Sequence, residues 1–263
     1  MNSNDGLFYT LFIVFFILFT LRYFGVHNYL RQTIISSEKN TILKKFFSKH
    51  IYYFNQLSEK EKDRFIYRAY RLIYHVKIAG RMGFQITSEV KLIVIAAYVQ
   101  LTFGYKYYFL TRFNSILVYP DKYQNKITGQ MHYGEVNPKG LIVLSWQRLL
   151  KGHQVIDDAI NLGLHEMAHA LMHTIIHSND HERGLDSYLQ NIVALSRNEM
   201  EKIKSDEHHL FRNYAGTNIF EFFAVAVEYF FEVPEEFQKE LPKLYQFMVL
   251  LLKQDPAAKV FTK

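Results

Sequence analysis

Residues 161–171 read NLGLHEMAHAL, and the interpretation of the whole chain starts from this stretch. His165 and His169 are four residues apart, so on a helix they lie one turn apart on the same face. They can therefore present two imidazole nitrogens to one metal ion, and zinc is the usual ion in such a motif. Glu166 lies about 100° further around the helix, beside the ion, where a base for a water molecule is needed. The spacing predicts a hydrolytic zinc site on a helix.

The pattern around the motif supports a buried helix. A bare H-E-x-x-H sequence occurs by chance in unrelated proteins, so its context matters. Here apolar residues recur every three or four positions, which is the helical period. The stripe consists of Ile156, Ile160, Leu164, Met167, Leu171 and Ile175.

Three more histidines continue the four-residue spacing, at positions 173, 177 and 181. An alternative ligand set is therefore His165, His169 and His173. Ligands on three successive turns of one helix span about 12 Å, however, which suits a tetrahedral ion poorly. We interpret His173, His177 and His181 as the solvated end of the helix.

The third ligand should come from further along the chain. Glu221 and Glu228 are seven residues apart and share one helix face. Glu221 also has a structural explanation, since it occupies the third helical position after a capping Asn218. Glu228 lies among aromatic residues, where a carboxylate needs a partner. Spacing alone leaves open which glutamate binds the metal and which orients a histidine.

Composition excludes several classes of protein. The chain of 263 residues has no cysteine, which excludes disulfide scaffolds and cysteine-ligated zinc sites. An apolar content of 49% with 21% charged residues excludes a disordered chain. The formal net charge of +6 is mild, so direct binding of nucleic acid is not expected.

Residues 7–26 form an apolar run that predicts an N-terminal membrane anchor, because about 20 such residues span a bilayer. A cleaved signal peptide is an alternative, but residues 1–6 have no Lys or Arg and no small-residue cleavage site follows. A buried core helix is another. Basic residues predominate in 22–49 and stay on the cytoplasmic side of a membrane. We therefore expect the N-terminus outside and the body of the protein in the cytoplasm.

The remaining chain divides into three parts. Residues 27–57 are basic and aromatic and are interpreted as a juxtamembrane segment. Residues 58–256 form the expected catalytic domain, and 257–263 a C-terminal tail. The domain begins at Ser58, where the sequence S-E-K-E is a capping box.

The fold class expected for the domain is α+β and rich in helix. Short β-like runs occur at 116–119, 127–133 and 141–145, separated by turn signals that contain Pro and Gly. Three close strands predict a small antiparallel sheet. From residue 155 onward the pattern is helical.

With these motifs in place, the chain resembles the Mlc titration factor A family of zinc metallopeptidases, also called glucose-regulated metallopeptidases. The matching segments occur in the family's order and cover most of residues 58–256. They are ILVYPDKY at 116–123, GLIVLSWQRLLKG at 140–152, NLGLHEMAHAL at 161–171, NIFEFFAVAVEYFF at 218–231 and LYQFMVLLLKQDP at 244–256.

The resemblance implies a zincin-like fold and a specific site. It implies one zinc ion per chain, held by His165, His169 and Glu221, with Glu166 as the general base. It also implies that Tyr214 donates a hydrogen bond to the oxyanion of the reaction. Glu228 then becomes a carboxylate that supports a ligand without binding the metal.

The resemblance also implies a function, with two rivals. It suggests aminopeptidase-like cleavage of short peptides and an interaction with a transcriptional regulator. One rival is a membrane-tethered protein that titrates such a regulator, with hydrolysis secondary. The other is a structural zinc module without catalysis, in which four protein ligands would surround the metal.

Overall fold

The computed structural model describes residues 3–23, 35–110, 112–125, 129–177, 185–205 and 208–261. The first helix, α1, is Ser3–Tyr23, and the side chains of residues 9–19 along it are exposed. Among the described residues, no helix is both long and apolar enough to cross a membrane. The structure therefore does not support the predicted spanning segment 7–26, of which residues 24–26 lie outside the described residues.

Helices dominate the rest of the described chain. They are α2 Ser37–His50, α3 Tyr52–Gln56, α4 Glu59–His75, α5 Ser88–Thr102, α6 Trp146–Gln154, α7 Leu162–His177, α8 Leu185–Ser205, α9 Ile219–Glu232, α10 Pro234–Glu240 and α11 Pro242–Leu252, with a 3-10 helix at Asn213–Gly216. The strands are β1 Lys77–Gly80, β2 Ser115–Tyr119, β3 Tyr123–Gln124, β4 Met131–His132, β5 Gly134–Asn137 and β6 Leu141–Ser145. The helix-rich α+β class is confirmed.

Side-chain caps set several helix starts, among them the one predicted at Ser58. The capping box at Ser58 is confirmed: its backbone N–H donates to Glu61 Oε2 at 2.9 Å. Thr87 Oγ1 accepts a hydrogen bond from the N–H of Val90 and starts α5. Helix α4 ends at His75, because the chain then enters β1 at Lys77.

The segment predicted to lie at the membrane contributes to the core of the domain. Phe47 on α2 and Phe54 on α3 are fully buried. Their rings pack against Phe65 of α4, with centroids 5.1 and 5.3 Å away. Buried aromatic pairs of this kind stabilise a core beyond the area they bury. The core therefore begins well before residue 58.

The main sheet is mixed, so the prediction of an antiparallel sheet is wrong. The strand order is β1-β2-β6-β5, with β1–β2 and β2–β6 parallel and β5–β6 antiparallel. Strands β3 and β4 form a separate antiparallel pair. Residues 120–140 lie between β2 and β6, which is long enough to return the chain and allow parallel pairing. Part of the predicted strand 127–133 lies outside the described residues.

Helix α7 lies at the centre of the domain and carries the H-E-x-x-H motif. It packs against the β5–β6 side of the sheet and against α5, α6 and α9. A Cβ atom added at Gly163 would lie 2.7 Å from Leu149 Cδ1 and 2.8 Å from Ala97 Cβ. This glycine therefore lets the first turn of α7 approach α5 and α6 closely.

Candidate metal centre

The first turn of α7 is fixed by Asn161, the residue immediately before the helix. Its Oδ1 accepts a hydrogen bond from the N–H of Leu164 at 3.1 Å, as a helix cap does. Its backbone oxygen accepts from the N–H of His165 at 2.9 Å, the first bond of the helix. Because the cap is buried, the rotation of α7 is well determined. That rotation directs His165 and His169 towards α9.

Three side chains converge where α7 faces α9. His165, His169 and Glu221 each offer a ligand atom, and these atoms all lie within 4.8 Å of one another. Glu221 Oε2 is 3.0 Å from His165 Nε2 and 3.5 Å from His169 Nε2. Among the described residues, this is the cluster of His and acidic groups that could hold a metal ion. The structure therefore brings Glu221, and not Glu228, to the point where the two Nε2 atoms meet.

Glu221 reaches the cluster because of the way α9 begins. Asn218 caps the helix, with Oδ1 accepting from the N–H groups of Phe220 and Glu221 at 2.9 and 3.1 Å. The carboxylate of Glu221 lies against the histidines of α7. Burial would raise the pKa of Glu221, but its hydrogen bonds with His165 and His169 outweigh burial and lower it. The carboxylate is thus held ionised.

The electrostatics of the cluster suit a cation. His165 Nε2 and His169 Nε2 face each other at 3.2 Å beside the Glu221 oxygen, so three electron-rich atoms share one point. Burial alone would lower the pKa of His165, yet the carboxylates of Glu221 and Glu228 raise it to about 10. The site therefore favours added positive charge strongly. A divalent ion bound to the three donors would supply it, and the residues present fit a zinc ion.

Glu228 supports His165 from the other side of the ring. Its Oε2 is 3.1 Å from His165 Nδ1, and its Oε1 accepts from the N–H of Asn161 at 2.8 Å. Arg212 pairs with the same Oε2 and also donates to the backbone oxygen of Ala159. A carboxylate on Nδ1 leaves Nε2 free to bind a metal. The structure thus gives Glu228 an orienting position outside the ligand cluster.

Glu166 lies beside the three donors in a dry position. Its Oε2 is buried and has no hydrogen-bond partner among the described residues. Burial raises the pKa of Glu166 to about 7, with His165 and His169 opposing the shift. A Cβ atom at Gly134 would lie 2.2 Å from Glu166 Oε1, so β5 passes directly over this carboxylate. A glycine at this point leaves room for the side chain of Glu166.

Tyr214 stands at the edge of the same cleft. It lies in the 3-10 helix, is half exposed, and has its ring centroid 6.0 Å from that of His165. Burial and the nearby carboxylate of Glu221 raise its pKa, so the phenol keeps its proton. The phenol therefore remains a hydrogen-bond donor close to the carboxylate of Glu221.

The cleft has a volume of about 350 Å³ and is open to solvent on one side. His132, Glu135 and Val136 from the β4–β5 region line one wall. His173 lines it too, but its ring stacks on Phe220, with centroids 5.1 Å apart. The alternative ligand set with His173 is therefore not the one that the structure brings together.

Several residues of the site are not among those predicted from the sequence. Asn161 could have been found, since it precedes an apolar helical stripe as a capping residue does. Arg212 gives no such signal, because its partner Glu228 is distant in sequence. Gly134 and Glu135 follow a two-residue strand, and nothing in the local pattern marks them as part of a cleft.

The chain matches known proteins over most of its length. The model of the glucose-regulated metallopeptidase family M90 matches residues 26–253. The chain belongs to this family. It is also similar to the curated protein Mlc titration factor A from Yersinia pestis (strain Pestoides F), at 27% identity over 227 residues. That alignment covers 78% of this chain and 82% of the relative. The protein of the same name from Yersinia pseudotuberculosis serotype O:1b (strain IP 31758) matches equally well.

Membership of this family makes the chain a metallopeptidase and confirms the predicted resemblance. The family implies a bound metal ion, and the His165, His169 and Glu221 group could hold it.

Proposed function

We propose that this protein is a zinc-dependent peptidase that hydrolyses peptide bonds in short peptides, with Glu166 as its general base. The observation that carries the proposal is the convergence of His165, His169 and Glu221 within 4.8 Å, with the carboxylate of Glu166 beside them. His165, His169 and Glu221 would hold one zinc ion per chain. Zinc in such a site polarises a carbonyl group and makes a water molecule a stronger acid.

Glu166 moves the protons of the reaction. As a carboxylate it accepts a proton from the attacking water at one of its oxygens, and it then delivers that proton to the nitrogen of the leaving amine. A pKa of about 7 suits a group that must both take and give a proton near neutral pH. Closure of the site by Gly134 and β5 keeps Glu166 dry, which supports this raised pKa.

Tyr214 and Glu228 have supporting roles. Tyr214 donates a hydrogen bond to the oxyanion of the tetrahedral intermediate, for which its raised pKa keeps the proton in place. Glu228 accepts from His165 Nδ1 and holds the imidazole in the tautomer whose Nε2 faces the cluster.

Strand β5 offers a binding edge for an extended peptide. It is the last strand of the sheet, with β6 on its inner side, and Gly134 and Val136 line the cleft. A peptide added along this edge would gain backbone hydrogen bonds and place a carbonyl near Glu166. A short peptide with a free N-terminus is the proposed substrate, as the family resemblance suggests.

Peptide hydrolysis with a matched variant tests the proposal. The zinc-loaded full chain is incubated with a library of short peptides, with and without a chelator. We expect cleavage that the chelator abolishes and that Glu166→Gln reduces by about 10³-fold or more, while zinc stays bound. Cleavage that survives both treatments would show that this site is not the catalytic one.

A second function is suggested by the names of the relatives, which are called Mlc titration factor A. We propose as an alternative that this chain binds and titrates a transcriptional regulator, with peptidase activity secondary. The Glu166→Gln variant separates the two functions. If the cellular phenotype persists while hydrolysis is lost, the titration function is the principal one.

The cellular location is also a proposal. The exposed apolar side chains of residues 9–19 support an association of α1 with a lipid bilayer. The basic residues in 22–49 favour a position of the catalytic domain on the cytoplasmic side of that bilayer. Fractionation of cells that express the full chain or a deletion of residues 1–26 tests this. Recovery of both proteins in the soluble fraction would overturn it.

A further inference from the structure

Glu135 on β5 is an acidic side chain in the wall of the cleft that the proposed reaction does not use. It follows Gly134, whose backbone lies against the carboxylate of Glu166. Glu135 Oε2 accepts two hydrogen bonds, from Asn125 Nδ2 at 2.7 Å and from Tyr123 OH at 3.2 Å. Both donors belong to the segment at β3, so the carboxylate is held in one position.

The charge of Glu135 is oriented but not neutralised. Asn125 and Tyr123 are neutral donors, and among the described residues no Lys, Arg or His forms an ion pair with Glu135. Both hydrogen bonds fall on Oε2, so neither donor occupies Oε1, and Glu135 is one of the residues that line the cleft. A carboxylate that is fixed by neutral donors and unpaired in a concave site is ready to receive a cation.

Tyr123 is itself fixed in place. Its ring stacks on Tyr119 with centroids 4.4 Å apart and planes at 17°, and its side chain is buried. This packing fixes the position of one of the two donors that hold the Glu135 carboxylate. Preorganised groups bind a ligand at less entropic cost than mobile ones.

We propose that Glu135 is the specificity-determining residue of the cleft and binds a positively charged group of the substrate beside the scissile bond. The group is an ammonium or a guanidinium. It can come from the free N-terminus of a peptide or from a neighbouring Lys or Arg side chain. This inference rests on the proposed peptidase function, and it adds the class of substrate that the cleft selects.

The competing explanation is that Glu135 only pins the β3 segment to β5. The two explanations differ in what Tyr123→Phe does. That variant removes one hydrogen bond from Glu135 but keeps its charge, whereas Glu135→Gln removes the charge and keeps an acceptor for Asn125 and Tyr123. A charge-recognition role makes the variants differ in selectivity, and a purely structural role makes them alike.

Paired peptides measure that selectivity on the zinc-loaded full chain. One pair is a short peptide with a free or an acetylated N-terminus, and the other is an acetylated peptide with lysine or its neutral isostere norleucine next to the scissile bond. We expect wild type to prefer the cationic member of at least one pair. Glu135→Gln should lower that preference in kcat/KM by about 10- to 100-fold, chiefly through KM, the range for a charge-assisted hydrogen bond.

Two controls accompany the measurement. Glu89→Gln removes the same charge at an exposed helix start away from the cleft and should keep the preference. Tyr123→Phe should keep most of it as well. The peptide pair whose preference Glu135→Gln lowers shows whether the cation that Glu135 binds is the N-terminus or the Lys side chain.

Direct binding gives a readout that does not depend on turnover. The same peptides, carrying a fluorophore, are titrated against Glu166→Gln and against the Glu166→Gln, Glu135→Gln double variant. The cationic peptide should bind the double variant about 10-fold or more weakly. If wild type cleaves peptides but neither pair shows a preference that Glu135→Gln alters, the role of Glu135 is overturned. If wild type cleaves no peptide, the proposed function itself fails.

Discussion

Glu228 Oε2 lies 3.1 Å from Nδ1 of His165, on the opposite side of the ring from the nitrogen that faces His169 and Glu221. The contact shows that the two glutamates of α9, Glu221 and Glu228, have different roles. Glu221 offers a ligand atom to the cluster, and Glu228 sets the tautomer and orientation of one ligand. The same helix face thus supplies both the site and its support.

The division predicts different metal binding by two variants. Glu221→Ala removes a ligand atom and should abolish stoichiometric zinc binding. Glu228→Gln keeps all three ligand atoms and should weaken zinc by about 10- to 100-fold, as loss of an orienting partner does. Competition with a chromophoric chelator measures both affinities. If Glu221→Ala bound zinc fully and Glu228→Gln lost zinc, Glu228 would be the ligand and Glu221 the supporting carboxylate.

Arg212 should matter for stability through Glu228. The carboxylate of Glu228 is almost fully buried between Arg212 and the imidazole of His165, and Arg212 is the partner that is always charged. Removing one member of such a pair leaves an uncompensated buried charge. Arg212→Met should therefore lower the free energy of unfolding by about 2 to 4 kcal/mol in urea.

The control for this prediction is Arg197→Met, which removes the same charge from an exposed position on α8. It should change stability by less than about 0.5 kcal/mol. The double variant Arg212→Met, Glu228→Gln should recover part of the loss, because no charge is then stranded. Equal effects of the two arginine variants would show that the pair with Glu228 contributes nothing.

Gly134→Ala should separate activity from stability. The added Cβ would fall 2.2 Å from Oε1, 2.6 Å from Cδ and 2.7 Å from Cγ of Glu166, so the whole side chain of Glu166, and none of the nearest backbone, has to turn aside. We therefore expect a small change in unfolding midpoint, retained zinc, and a loss of about 10²-fold in kcat/KM, since misplacing a catalytic group by 1 Å has effects of that size. Normal activity with normal zinc content would show that the position of Glu166 is not critical.

Local chemistry explains which parts of this fold are predictable from sequence. The capping box at Ser58 and the caps at Thr87 and Asn218 act within three residues, so their helix starts follow from the sequence. The H-E-x-x-H spacing likewise depends on a single turn of α7. These features need no knowledge of distant contacts.

Features that depend on distant contacts are not predictable in this way. Whether β2 and β6 pair in parallel depends on the path of the intervening chain, which the β-like runs do not record. The choice between Glu221 and Glu228 depends on the rotation of α9 against α7. Strand β1 has four residues, and its pattern merges with the preceding helix. Arg212 lies just before the 3-10 helix and pairs with Glu228 on α9, which no local sequence pattern indicates.

Glu232, at the end of α9, is expected to make stability depend on pH. Its Oε1 accepts from Asn161 Nδ2 at 2.9 Å, while its Oε2 is buried without a hydrogen-bond partner among the described residues. Burial, with added repulsion from Glu228 and Asp158, raises its pKa to about 8. In the unfolded chain a glutamate titrates near pH ~4.3.

The direction of this pH dependence follows from the number of protons that the folded and the unfolded protein bind. Between pH ~4.3 and 8 the folded protein keeps a proton on Glu232 that the unfolded chain has lost, so the free energy of unfolding falls as pH rises and levels off above 8. Glu232→Gln resembles the protonated acid and keeps the acceptor for Asn161. The free energy of unfolding of the variant minus that of wild type should therefore increase by on the order of 3 kcal/mol between pH 5 and pH 8.5.

Urea unfolding of both proteins in chelator, at the two pH values, measures this difference without a contribution from metal binding. The other titratable groups around Glu232, namely Glu228, Asp158, His153, Glu235 and Lys259, are the same in both proteins. Their own pH dependence therefore cancels to first order when the variant is compared with wild type at each pH. A constant difference between the two proteins from pH 5 to pH 8.5 would mean that Glu232 is already ionised in the folded state, with Oε2 satisfied by solvent.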